Sequence, residues 1–112
     1  HNLLGFDVYM HNIHRKLINP KLKSDFSYTE NLVDTLCLAK ALKKRIGLDK
    51  DDDFLAWQYR LNHLIERGLS CNLKQCCKDF DIDFDESKLH DALYDIKVNF
   101  EVFKKMIWEI EI

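Results

Sequence analysis

One proline and three glycines are all that interrupt 112 residues. A many-stranded sheet protein needs such residues at its corners, so this scarcity speaks against one. No apolar run reaches the roughly 18 residues of a membrane span, and no secretory leader is recognisable. Neither sign of charge predominates, since 17 Lys and Arg against 19 Asp and Glu leave a formal net charge of −2. That balance excludes the broad basic field behind tight, sequence-independent duplex binding and confines any nucleic-acid contact to a local surface. The cysteines, Cys37, Cys71, Cys76 and Cys77, contain no CxxC pair. They read as reduced, buried thiols of a cytoplasmic protein rather than as zinc ligands.

What is present is helix-forming sequence. At 46% hydrophobic and 32% charged, the composition suits one globular domain. Leu3, Phe6, Met10, Ile13 and Leu17 recur at three- and four-residue steps, which predicts a helix to about Ile18, ended by Asn19-Pro20. A polar connector follows, and Asn31-Leu32-Val33 is the one candidate extended piece. Asp34 is placed to cap a helix carrying Leu38, Leu42 and Ile46 and stopped by Gly47. The acidic run Asp51-Asp52-Asp53 reads as the cap of another, with a metal role as the alternative; that helix has Phe54, Trp57, Leu61 and Leu64 on one side and an end near Gly68. Asn72 and Gln75 are spaced as a capping box for a short helix with Leu73, Cys76, Cys77 and Phe80 facing inward. The last helix, from about Asp91, aligns Ile96, Phe100, Phe103, Ile107 and Ile110. The chain is therefore mostly α, with about five helices and no internal repeat or domain boundary.

Chemistry-bearing residues gather in two places. The first is His1-Asn2-Leu3-Leu4-Gly5-Phe6-Asp7, where a carboxylate at a helix start is anchored by an aromatic neighbour. Asp7 serves either as a ligand aimed into a cleft or as a complement to the helix dipole. His11 and His14 follow on the same helix, which leaves an Asp/His/His metal site as a separate reading. The second is Leu89-His90-Asp91-Ala92-Leu93-Tyr94-Asp95. A histidine there precedes a helix whose second turn carries a carboxylate. Histidine accepts protons near neutral pH, and aspartate offers the hard oxygen that Mg²⁺ or Mn²⁺ prefers. Lys40, Lys43 and Lys44 form a candidate basic face near a helix end.

His90-Asp91-Ala92-Leu93-Tyr94-Asp95 resembles the third motif of the histidine-containing DEDD-family 3′–5′ exonucleases, the family of the proofreading subunit of bacterial DNA polymerase III. His1-Asn2 through Phe6-Asp7 is similar to the second motif, in which many members have one residue fewer, making Gly5 the extra one. Val33-Asp34-Thr35-Leu36-Cys37-Leu38-Ala39 resembles the family's passage from a short strand into a helix, and Asn72 to Ile82 the short helix before the third motif. The likeness spans residues 1–112 in the family's order, with Lys50 to Ser70 as additional sequence.

The resemblance implies a partial exonuclease domain, the helical C-terminal part of an α/β ribonuclease H-like fold. Its first motif, an Asp-x-Glu on the opening strand, would precede His1. Asp7 and Asp95 would be metal ligands in a two-ion Mg²⁺ or Mn²⁺ site, with His90 as general base toward the attacking water. His1, Asn2 and Phe6 would contact substrate, the 3′ end of a single-stranded nucleic acid. A DNA polymerase or another replication or repair protein, and the upstream segment itself, are the partners implied. With half the carboxylates missing, the 112 residues alone are expected to be inactive. A helical interaction module derived from an exonuclease is the alternative.

Overall fold

The computed structural model describes residues 1–109, in which five α-helices are joined by short helical turns. They are α1 (Val8–Ile18), α2 (Thr35–Lys44), α3 (Phe54–His63), α4 (Leu73–Asp79) and α5 (Ala92–Met106). A π-helical turn, Leu3–Asp7, runs directly into α1, and 3₁₀ turns lie at Ser27–Asn31 and Glu86–Lys88. No strand occurs among the described residues. None of their helices is long and apolar enough to cross a membrane.

Local chemistry sets most helix starts. Asp34, Asp53, Asn72 and Asp91 cap α2, α3, α4 and α5 by accepting the amides of Leu36, Leu55, Gln75 and Tyr94. Each takes up a donor that the first helical turn cannot satisfy. The Asn72 box closes on one side only, because the Gln75 side chain donates forward to Asp79 rather than back. Of the expected extended piece, Asn31 closes the 3₁₀ turn, while Leu32 and then Asp34 are extended yet find no strand. Instead the buried Gln58 amide accepts from Asp34 N (2.7 Å) and donates to Leu32 O (2.9 Å). One side chain thus replaces a ladder partner.

The core lies where α2 crosses α3 and α5, around Leu38, Cys37, Ala41, Trp57, Leu61, Val102 and Met106. Trp57 and Leu61 of the α3 stripe are buried, as are Cys76 and Cys77 of α4. On α2 the buried side is Cys37, Leu38 and Ala41, while Ile46 of the expected stripe lies beyond the helix and is exposed. Two further stripes also differ from the structure. On α1 the buried side is Leu4, Val8 and Asn12, while Phe6, Met10, Ile13 and Leu17 are exposed. On α5 it is Val98, Val102 and Met106, while Ile96, Phe100 and Ile107 are exposed. Each helix carries apolar residues on more than one side, and periodicity alone does not decide which side enters the core. Ile110 lies outside the described residues. Helix ends also moved: α2 stops at Lys44, with Arg45 rather than Gly47 in the left-handed region (φ 54°), and α3 stops at His63, short of Gly68.

Candidate active site

The first motif-like segment is held by its own backbone. Asn2 is left-handed (φ 60°), and the Val8 amide reaches back five residues to Leu3 O, closing the π turn. A π turn accommodates one residue more than an α turn. It falls on the segment that contains Gly5. A side chain at Gly5 has no room, since its Cβ would lie 2.4 Å from Asn2 Oδ1 and 3.0 Å from Asn62 Oδ1. Those two side chains meet there, Asn62 Nδ2 donating to Asn2 Oδ1 at 3.1 Å.

Asp34 ties this segment to α2. Its carboxylate is fully buried and accepts three amides: Asn2 N at 2.7 Å, Leu4 N at 3.0 Å and Leu36 N at 3.0 Å. Three donors on one buried carboxylate compensate much of its lost hydration. The next residue, Thr35, links three elements. His1 Nδ1 lies 2.9 Å from its Oγ1, and the Thr35 hydroxyl donates to Asn99 Oδ1 at 2.6 Å. His1 Nε2 donates to the Cys71 carbonyl (2.6 Å) at the entry to α4. Both ring nitrogens of His1 are therefore engaged within the chain, so a direct hydrogen bond to substrate would displace one of these contacts. Asn99 lies one turn beyond Asp95 on α5. Three segments far apart in sequence thus meet at one point.

At the second motif-like segment, Asp91 takes the capping role. The Asp95 carboxylate turns back to accept the His90 amide, with oxygens 3.1 and 3.2 Å from the nitrogen. His90 has φ 77°, in the left-handed region that histidine enters more readily than most non-glycine residues. His90 is exposed, and with Asp95, Asn72, Lys74 and Glu86 it lines a cavity of about 500 Å³. Lys74 and Glu86 are ion-paired across its wall.

Asp7 is exposed and faces a different groove, of about 380 Å³, with Leu3, Val8, His11, Tyr28 and Leu32. The two expected metal ligands line separate cavities, and Phe6, beside Asp7, is 57% exposed. Among the described residues no three His, Cys, Asp or Glu side chains are grouped to hold a metal ion. The residues present therefore do not compose a divalent-ion site by themselves. The Asp7/His11/His14 reading gains no support either, because His11 Nδ1 is 3.0 Å from the Tyr28 hydroxyl and His14 does not line the groove. No protein family, curated protein or solved structure matches this chain.

The basic face expected on α2 is occupied internally. Lys40 donates to the Asn62 and Leu64 carbonyls at the end of α3, Lys43 pairs with Asp79, and Lys44 with Glu66. Sequence reasoning missed Thr35, Gln58 and Asn99. Their only sequence signal is a polar residue on an otherwise apolar helix face.

Proposed function

We propose that this chain is the later, helical part of a metal-dependent 3′–5′ exonuclease domain of the histidine-containing DEDD type, acting on single-stranded nucleic acid in the cytoplasm. The observation that carries the reading is convergence. The Asp34-Thr35 pair that opens α2 binds the His1-Asn2 segment on one side and Asn99 of α5, one turn after Asp95, on the other. The start of the chain and the helix that carries Asp95 are thus tied to one point, although Asp7 and Asp95 themselves line separate cavities, and the His90 backbone amide donates to the Asp95 carboxylate.

In this reading water attacks the terminal phosphorus and gives one proton to the His90 imidazole. The bond to the penultimate nucleotide's 3′ oxygen breaks, that oxygen takes up a proton, and the 3′ nucleotide leaves as its 5′-phosphate. Asp7 and Asp95 are assigned to Mg²⁺ or Mn²⁺, and His1, Asn2 and Phe6 to the substrate end. The remaining ligands are assigned to an Asp-x-Glu segment outside these residues, together with the strands of a ribonuclease H-like sheet and any polymerase or repair partner. The exposed apolar residues of α5, Leu93, Ile96 and Phe100, favour a second reading, a non-catalytic helical interaction module.

The two readings separate in the intact gene product assayed on a single-stranded oligonucleotide with Mg²⁺ or Mn²⁺. Asp95→Asn keeps an acceptor for the His90 amide but removes the charge, and should abolish nearly all 3′–5′ cleavage. His90→Ala should lower the rate about 10²–10⁴-fold, the usual size of a general-base contribution. Undiminished activity in either variant would remove its residue from the mechanism, and no cleavage in the unaltered protein would favour the interaction module.

A further inference from the structure

Charge along the chain is uneven in a way the net value hides. Residues 8–24 contain no Asp or Glu, in a chain with 19 of them, yet include Arg15, Lys16, Lys21 and Lys23. Residues 79–91 hold six carboxylates with Lys88 the single cation among their last ten positions. The carboxylate-free tract is also one physical unit. After Pro20 the connector folds back along α1, where the buried Asn12 side chain accepts from Asp25 N (2.6 Å) and donates to Asp25 O (3.1 Å). The returning chain then sets two aromatic pairs against α1. Phe26 packs edge-on to Tyr9, with centroids 6.4 Å apart, and Tyr28 packs edge-on to His11 at 5.4 Å.

The result is a ribbon with cations at one end and ring edges and faces at the other, running toward Asp7. Tyr9 is 49% exposed and Phe26 43%. Among the described residues no carboxylate pairs with Lys16, Lys21 or Lys23, in contrast to the engaged lysines of α2. The acids of the connector are Asp25, tied to the Ser27 amide and hydroxyl, and the exposed Glu30 beyond the aromatic pairs. Exposed rings following a run of free cations on one surface are what a flexible polyanion with stacking faces requires. A peptide or a second copy of this chain has no such need for cations.

We propose that the ribbon formed by α1 and the returning connector is a track for single-stranded nucleic acid. Lys16, Lys21 and Lys23 hold phosphates, and Tyr9 and Phe26 stack bases, so that the strand is led toward Asp7. This deepens the exonuclease reading by placing the path of its substrate, and it rests on that reading for direction only.

The test is anisotropy of a labelled twelve-nucleotide oligo-dT with the intact protein across a salt series, without divalent ions, so that binding is read apart from cleavage. Tyr9→Ala and Phe26→Ala should each weaken binding roughly five- to 150-fold, the range for losing one base–aromatic stack, while Tyr9→Trp should retain it. Each of Lys16→Gln, Lys21→Gln and Lys23→Gln should reduce the slope of log affinity against log salt by about 0.7. Lys97→Gln and Lys105→Gln on α5 serve as controls and should change neither. Circular dichroism checks that each variant keeps its helices. Absence of binding, or binding indifferent to the α1 and connector variants, overturns the proposal. Binding that depends on them in a protein that cleaves nothing sustains the track and defeats the exonuclease reading instead.

Discussion

Asp34 and the cysteines show how burial changes what a residue does. Burial pushes the Cys37 and Cys76 thiols from their ordinary 9.0 up to about 12, with the Asp34 charge adding to the effect at Cys37 and neighbouring Cys71 at Cys76. Desolvation disfavours the thiolate, so these sulfurs are poor nucleophiles in the native protein. All four cysteines are buried, as their sequence context suggested, and none is in a disulfide. The folded state holds the thiol protons more tightly than the unfolded chain does. Their contribution to stability is therefore complete below pH 9 and is lost as pH rises from about 9 toward about 12. Two measurements check this. Ellman's reagent at pH 8 should label the native protein slowly and label four thiols promptly in denaturant. Thermal midpoints should fall between pH 9 and 11, and less so in a Cys37→Ala/Cys76→Ala protein. Fast native labelling of Cys37 or Cys76 would contradict their burial.

The start of α2 is the most heavily connected element. Asp34 caps the helix and fixes the Asn2 and Leu4 amides, Gln58 fixes the Asp34 backbone, and Thr35 reaches both His1 and Asn99. Removing the carboxylate would orphan three amides, two of them in a segment with no other anchor of this kind. An N-cap is worth about 1 kcal/mol, and a buried donor left unpaired costs about 1–3 kcal/mol. Asp34→Ala should therefore destabilise the protein by on the order of 3 kcal/mol in urea unfolding. Asp34→Asn, which keeps one acceptor oxygen, should cost less. A loss well under 1 kcal/mol for the alanine variant would mean that the first segment is not held through Asp34. The cap itself was legible in the sequence, but its reach to residues 2 and 4 was not, because only the tertiary approach of the chain start supplies those donors.

The whole molecule is more open than its length requires. Its radius of gyration is 15.3 Å, where about 13 Å is usual for a compact domain of this size. Its accessible surface is 8054 Å², against about 6,500 Å² from the usual scaling with mass. The excess is partly apolar, with Ile13 and Leu17 on α1 and Ile96 and Phe100 on α5 facing outward. An exposed apolar face of this kind binds hydrophobic dyes even in a native protein. The 112-residue chain should enhance anilinonaphthalene sulfonate fluorescence while keeping its helical circular dichroism. Ile96→Lys with Phe100→Lys should lower the dye signal and leave helicity unchanged. A protein that binds no dye would show that these faces are covered.

Residue chemistry near in sequence was sufficient for the helices. Caps, a lone proline and 3.6-residue periodicity act within a turn or two, so four helix starts and the inward faces of α3 and α4 follow from the amino acids alone. The candidate residues His90, Asp95, Asp7, His1 and Asn2 were likewise identifiable as residue types in a pattern. Which side of α1 and α5 enters the core was decided by packing, because both helices carry apolar residues on more than one side and only one side of each is buried. Tertiary structure also set the contacts of the candidate site. It joined His1 to Asn99 through Thr35, turned Asp95 onto the His90 amide, and put Asp7 in a groove of its own. It likewise folded the connector after Pro20 back along α1. Side-chain hydrogen bonds between residues 34 or 64 positions apart carry no periodicity, so the fold alone brings them within 3 Å.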